Sequence, residues 1–88
     1  MKEDMFVYGK LGSRVCSEGT PITDETSCRE ACKTLNIPQA TILGNAKCYK
    51  DGGNGRCYQD GQQNSKFFGW EASLICKTSD QISGNFIS

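Results

Sequence analysis

The chain contains no histidine, a single tryptophan, two prolines and no excess of either charge. Without histidine, the commonest general base and metal ligand is missing and a Cys–His nucleophile pair cannot form. Ten Lys and Arg balance ten Asp and Glu, so nothing in the charge favours nucleic acid or an anionic membrane as partner. The longest apolar stretches, such as Leu74-Ile75-Cys76, fall far short of the roughly 20 residues that span a bilayer, and no membrane insertion is expected. Paired carboxylates of defined spacing, a Ser/His/Asp set and a phosphate-cradling loop are also absent. The expectation is a protein that is not an enzyme and needs no cofactor. Met1-Lys2-Glu3-Asp4 leads into neither an apolar stretch nor a small-residue cleavage site, so the expectation is a mature fragment or a module of a longer secreted protein.

What is present is cysteine: six in 88 residues, with mean hydropathy −0.52. A chain this short makes at most one domain, and its apolar core alone supplies little net stability. Cross-links are the natural substitute, which places the chain in an oxidising, extracellular setting.

Met5-Phe6-Val7-Tyr8 reads as a short strand, broken by Gly9 to Ser13. Cys28, Ala31, Cys32 and Leu35 then fall at i, i+3, i+4 and i+7, one stripe of an amphipathic helix. Thr23 or Asp24 serves as its N-cap, and Pro38 biases Ile37 out of helical geometry, so the helix should cover residues 24–35. Four short β-like segments follow, at 40–43, 46–50, 56–59 and 70–76. The second and third form a hairpin around Asp51-Gly52-Gly53-Asn54-Gly55. A Gly52-Gly53 turn would set Cys48 opposite Cys57, whereas Asn54-Gly55 would set Cys57 opposite Gly52; the twin Cys-Tyr pairs favour the first. The expected fold is α+β: a small disulfide-rich domain with one central helix packed on an antiparallel sheet. Residues 1–77 make the module and 78–88 a flexible tail or linker.

Six cysteines allow fifteen complete pairings. Cys28 and Cys32 share a helix face, and Cys48 and Cys57 share a strand face in the favoured register, so each helical thiol can reach one strand thiol in either order. Cys16 and Cys76 are left to close the third bridge near the module's ends. Zinc is the rival, but the Cys48-x8-Cys57 gap is long for a ligand pair and no histidine accompanies it.

A helix carrying Cys-x3-Cys, a hairpin with one cysteine on each strand and a terminal pair closing the ends together resemble the PAN/apple module over Val15 to Lys77. The resemblance implies pairing of first to sixth, second to fifth and third to fourth cysteine: Cys16–Cys76, Cys28–Cys57 and Cys32–Cys48. The fifteen residues between Cys32 and Cys48 are more than that family usually has there.

The resemblance also implies extracellular recognition or adhesion: binding a protein or carbohydrate, often as one of several tandem modules. Its competitors are a free-standing secreted effector, such as a protease inhibitor or toxin, and a structural matrix spacer. Candidate ligand-binding residues are Phe67, Phe68 and Trp70, three aromatics behind a polar loop, together with Tyr49, Arg56 and Tyr58 on the hairpin. Phe68 and Trp70 share strand parity and could equally supply core bulk. The two tyrosines form either a binding platform or a second minor core under the Ile42 segment. Asp51, Asn54, Arg56, Gln59, Asp60, Gln62, Gln63 and Asn64 could hold sugar hydroxyls, though turn chemistry accounts for most of them. Lys47, Lys50 and Arg56 form a basic cluster that Asp51 and Asp60 offset.

Overall fold

A computed structural model describes residues 4–64 and 71–79. Strands β1 (Asp4–Tyr8) and β2 (Thr20–Pro21) precede helix α1 (Glu25–Thr34). Strands β3 (Gln39–Ile42), β4 (Tyr49–Asp51) and β5 (Cys57–Gln59) follow, then a 3-10 turn at Gln62–Asn64 and strand β6 (Ala72–Ser79).

The helix forms where the apolar stripe places it. Asp24 is the N-cap: its Oδ2 accepts from the Ser27 amide at 2.8 Å. Glu25 and Arg29, one turn apart on the exposed side, pair at 2.8 Å. The helix ends because Asn36 takes a left-handed φ of 60°. The Ile37 amide donates to the Cys32 carbonyl and the Asn36 amide to the Lys33 carbonyl. That closure satisfies the terminal carbonyls and folds Ile37 back onto the buried stripe of Cys28, Ala31 and Cys32.

The sheet runs β1-β6-β4-β5-β3, with β2 also pairing β6. It is mixed where the sequence suggests an antiparallel sheet, because β3 pairs β5 in parallel. β4 is bonded to β5 on one side and β6 on the other, and the strand leaving the helix, tied to β5 by the Cys57 amide on the Pro38 carbonyl, adds to the outer side of β5. β6 holds the other strands together: Ala72 to Leu74 pair β4, Ile75 to Ser79 pair β1, and β2 joins at Cys76 and Lys77. Thr78 and Ser79, expected in the tail, therefore belong to the sheet through Met5 and Asp4; residues 80–88 lie outside those described. β2 gave no periodic signal, being held by its pairing with β6 alone.

The hairpin takes neither of the two-residue turns. Residues 52–55 form a longer loop closed by Asp51 N–H to the Arg56 carbonyl at 2.9 Å. Asp51 Oδ1 accepts from the Gly53 amide and Asn54 Oδ1 from the Arg56 amide, while Gly55 supplies the left-handed φ of 74°. Two side-chain caps within the loop favour the longer connection. The resulting register sets Tyr49 opposite Tyr58 and Cys57 opposite Lys50. Cys48 and Cys57 still share a face but are not cross-strand partners.

The disulfides join Cys16 to Cys76, Cys28 to Cys48 and Cys32 to Cys57. The first agrees with expectation. The other two exchange partners relative to the Cys28–Cys57 and Cys32–Cys48 bridges that the family resemblance implies. Backbone anchoring at both ends of the helix explains the exchange. The segment entering α1 is tied to Cys48 by its amide bond to the Ile22 carbonyl, which brings the first helical turn, with Cys28, over Cys48. The segment leaving α1 is tied to Cys57 by its amide bond to the Pro38 carbonyl, which brings the last turn, with Cys32, over Cys57.

Two cores result. Between helix and sheet, Ile22, Ala31, Ile37, Ile42 and Ile75 pack around the four half-cystines of these two bridges, with Phe6 and Leu35 at the margin. On the opposite face Tyr49, Ala72, Leu74 and Cys76 pack with Val7, Cys16 and Tyr58. The tyrosines thus join a second core, built on β6 rather than under Ile42, which lies on the helix side.

Candidate functional site

The hairpin carries the sequence-derived candidates that fall among the described residues. Tyr49 and Tyr58, directly opposed across β4 and β5, stack with centroids 5.6 Å apart and planes 16° from parallel. Tyr49 is only 6% exposed, and its hydroxyl donates to Asp60 Oδ1 at 3.0 Å. Burial first, then that hydrogen bond beside a carboxylate, push its phenol well above the ordinary tyrosine range. Its ring is therefore a packing element and presents no face to a ligand. Tyr58 is half-buried, and its hydroxyl accepts from Asn54 Nδ2 at 2.6 Å. Arg56 is exposed on the strand end beside it. Tyr58, Arg56 and Asn54 thus meet at the tip of the hairpin, on a loop held by its own side chains. Phe67, Phe68 and Trp70 lie outside the described residues.

The polar residues divide by role. Asp60 Oδ1 also accepts from the Gln62 amide and so starts the 3-10 turn. Gln59 is fully buried: its Oε1 accepts from the Gly44 amide at 2.7 Å and its Nε2 donates to the Asp24 carbonyl at 3.2 Å. Both ends of that side chain are used, leaving none for a ligand. Gln63 is buried as well, and among the described residues its Oε1 has no hydrogen-bond partner. The basic cluster disperses: Lys47 Nζ donates to the Arg14 carbonyl, whereas Lys50 Nζ lies 5.4 Å from the centroid of the Tyr8 ring.

Lys50 marks a second place that strand parity alone did not disclose. Tyr8, Lys50 and Ser73 share the helix-side face of the sheet through the Tyr8–Ile75 and Lys50–Ser73 registers. With Leu11, Gly52 and Glu71 they line a shallow cleft of about 170 Å³. Tyr8 and Leu11 are 42% and 62% exposed. Sequence reading missed this cleft because its walls come from three segments distant in the chain, around Tyr8, Lys50 and Glu71, brought together through β6.

The Sγ atoms of Cys28, Cys32 and Cys48 lie within 4.8 Å of one another, all buried. Each is engaged in a disulfide, and it is the thiolate that ligates metal. The three disulfides, with no helix among the described residues long and apolar enough to cross a membrane, are compatible with an extracellular protein. No family model, curated protein or solved structure matches this chain.

Proposed function

We propose that the chain is a non-catalytic extracellular recognition module, apple-like in its general plan, that binds a protein or carbohydrate ligand as one unit of a longer secreted or surface protein. The observation that carries this reading is the hairpin tip. Asn54 and Asp51 brace the loop, and beside it stand the exposed Arg56 and the half-buried Tyr58. A pre-braced arrangement of aromatic and hydrogen-bonding groups loses little side-chain entropy on binding. The plan of one helix bridged to both hairpin strands, with Cys16–Cys76 closing the ends, supports the apple-like comparison, although the order of the two inner bridges departs from that family's.

The test is saturable binding of the oxidised domain to a glycan array and to a panel of extracellular proteins. A ligand whose binding falls at least roughly tenfold in Arg56→Ala and Tyr58→Ala, with folding intact, is the expected result. Failure to bind anything on either panel, or substrate turnover by the purified domain, overturns the reading.

A further inference from the structure

The cleft formed by Tyr8, Lys50 and Glu71 combines features that the hairpin tip lacks: concavity, an exposed aromatic ring, and one donor and one acceptor of opposite charge. We propose that it is a binding site for a neutral hexopyranose, the terminal residue of a glycan. This rests on the recognition reading and names a ligand class and a place for it.

Four observations lead there. The cleft, shallow and about 170 Å³ in volume, has room for one pyranose ring. Tyr8, exposed and on an edge strand, offers the part of its ring that the overlying Lys50 ammonium leaves open to the apolar C–H face of a sugar. Lys50 holds an ammonium donor 5.4 Å from the centre of that ring. Glu71 supplies the acceptor, and Ser73, itself buried, lines the same cleft. Among the described residues neither the Glu71 carboxylate nor the Ser73 hydroxyl has a hydrogen-bond or ion-pair partner. Sugar hydroxyls both donate and accept, so one pyranose can serve Lys50, Glu71 and Ser73 together. The walls carry one positive and one negative charge, which gives no net attraction for an anionic or cationic ligand.

Gly52 lets the floor of the cleft form by close approach of the hairpin backbone to Glu71. Its amide donates to the Glu71 carbonyl at 3.2 Å, and a Cβ there would collide with that same oxygen. The Tyr8 hydroxyl is a donor at neutral pH, as an ordinary phenol is, and burial raises it further.

The experiment is a titration of the 15N-labelled oxidised domain with methyl α-glucopyranoside, methyl α-galactopyranoside and methyl α-mannopyranoside, with glucuronic acid and phenylalanine as charged comparators. The expected result is saturable shifts of the Tyr8, Gly52, Glu71 and Ser73 amides by at least one neutral pyranoside, with a dissociation constant on the order of 1 mM. Tyr8→Ala should weaken this about tenfold and Tyr8→Phe much less. Lys50→Met, which keeps the side-chain stem, should weaken it several-fold and serves if Tyr8→Ala fails to fold. No saturable shift by any pyranoside at roughly 50 mM overturns the proposal, as does binding of the charged comparators alone. Shifts confined to Asn54, Arg56 and Tyr58 also overturn it, but leave the recognition reading standing.

Discussion

The side chain of Gln59, without solvent exposure, donates to the main-chain carbonyl of Asp24, the residue that caps the helix. One amide thus connects the middle of the sheet to the start of α1, and its oxygen holds the Gly44 amide at the other end. Gln59→Leu would leave the Gly44 N–H without its acceptor and the Asp24 carbonyl with the Cys28 amide as its remaining donor, and should cost about 1–3 kcal/mol, read by denaturant unfolding under oxidising conditions. Gln59→Glu, ionised, keeps the acceptor for Gly44 but turns a second oxygen toward the Asp24 carbonyl. It should destabilise at neutral pH and recover part of the loss as pH falls and the carboxyl regains a donor. Equal stability of the leucine variant and the parent would remove the bridge from the account.

The disulfides make a ranked prediction. Under the chain-entropy model, the 60-residue Cys16–Cys76 loop contributes about 4 kcal/mol, and the 20- and 25-residue loops of Cys28–Cys48 and Cys32–Cys57 about 3 kcal/mol each. Paired Cys→Ser variants should follow that order in denaturant unfolding. Non-reducing peptide mapping should recover Cys16–Cys76, Cys28–Cys48 and Cys32–Cys57. Recovery of Cys28–Cys57 with Cys32–Cys48 would restore the family pairing, and would require the backbone anchors at Ile22 and Pro38 to be rearranged. Cys28→Ser alone leaves Cys48 free beside Cys32, so its oxidative refolding should yield some Cys32–Cys48 product with Cys57 alkylatable.

Much of this architecture could be read from residue spacing, and the parts that could not share a cause. The helix was legible because Cys28, Ala31, Cys32 and Leu35 repeat at helical spacing between a capping Asp24 and Pro38, all local signals. The shared face of Cys48 and Cys57 was legible because a shift of two in hairpin register preserves parity. The hairpin loop itself was not, since Asp51 and Asn54 can cap amides in several turns and only the sheet's closure chooses among them. Nor was the order of the inner bridges, which depends on the amide bonds of Cys48 and Cys57 to residues flanking the helix. On the site side, tyrosines at the hairpin were a legible choice, but burial of Tyr49 depends on Leu74 and Ala72 from a distant strand. The Tyr8 cleft depends on the same strand.

Asn36 predicts a split between two substitutions. Its φ of 60° is the left-handed region in which asparagine and glycine are at ease and β-branched residues are strained. Asn36→Gly should change stability by only a few tenths of a kcal/mol, whereas Asn36→Val should cost about 1–2 kcal/mol, with loss of the Ile37-to-Cys32 closure. Thermal unfolding of both variants with disulfides intact gives the comparison. Equal losses would mean that the closure contributes little to the folded state.

The helix N-cap predicts the response to acid. The amide hydrogen bond from Ser27 lies first among the causes that hold the Asp24 carboxyl below the usual carboxylate range, followed by the Ser27 side chain. A carboxyl whose folded value is depressed binds its proton more readily in the unfolded chain. Its contribution is therefore fully present above the unfolded value, about 3.9, and is lost as pH falls through the lower folded value. Asp24→Ala should cost about 1 kcal/mol at neutral pH. Asp24→Asn retains a neutral cap of similar geometry, so it should match the parent more closely and lack this component of acid sensitivity. Measured as the difference in unfolding free energy between parent and asparagine variant, the parent's advantage should shrink as pH is lowered from about 5 to about 2. A difference independent of pH across that window would mean that the carboxylate's charge does not contribute to capping α1.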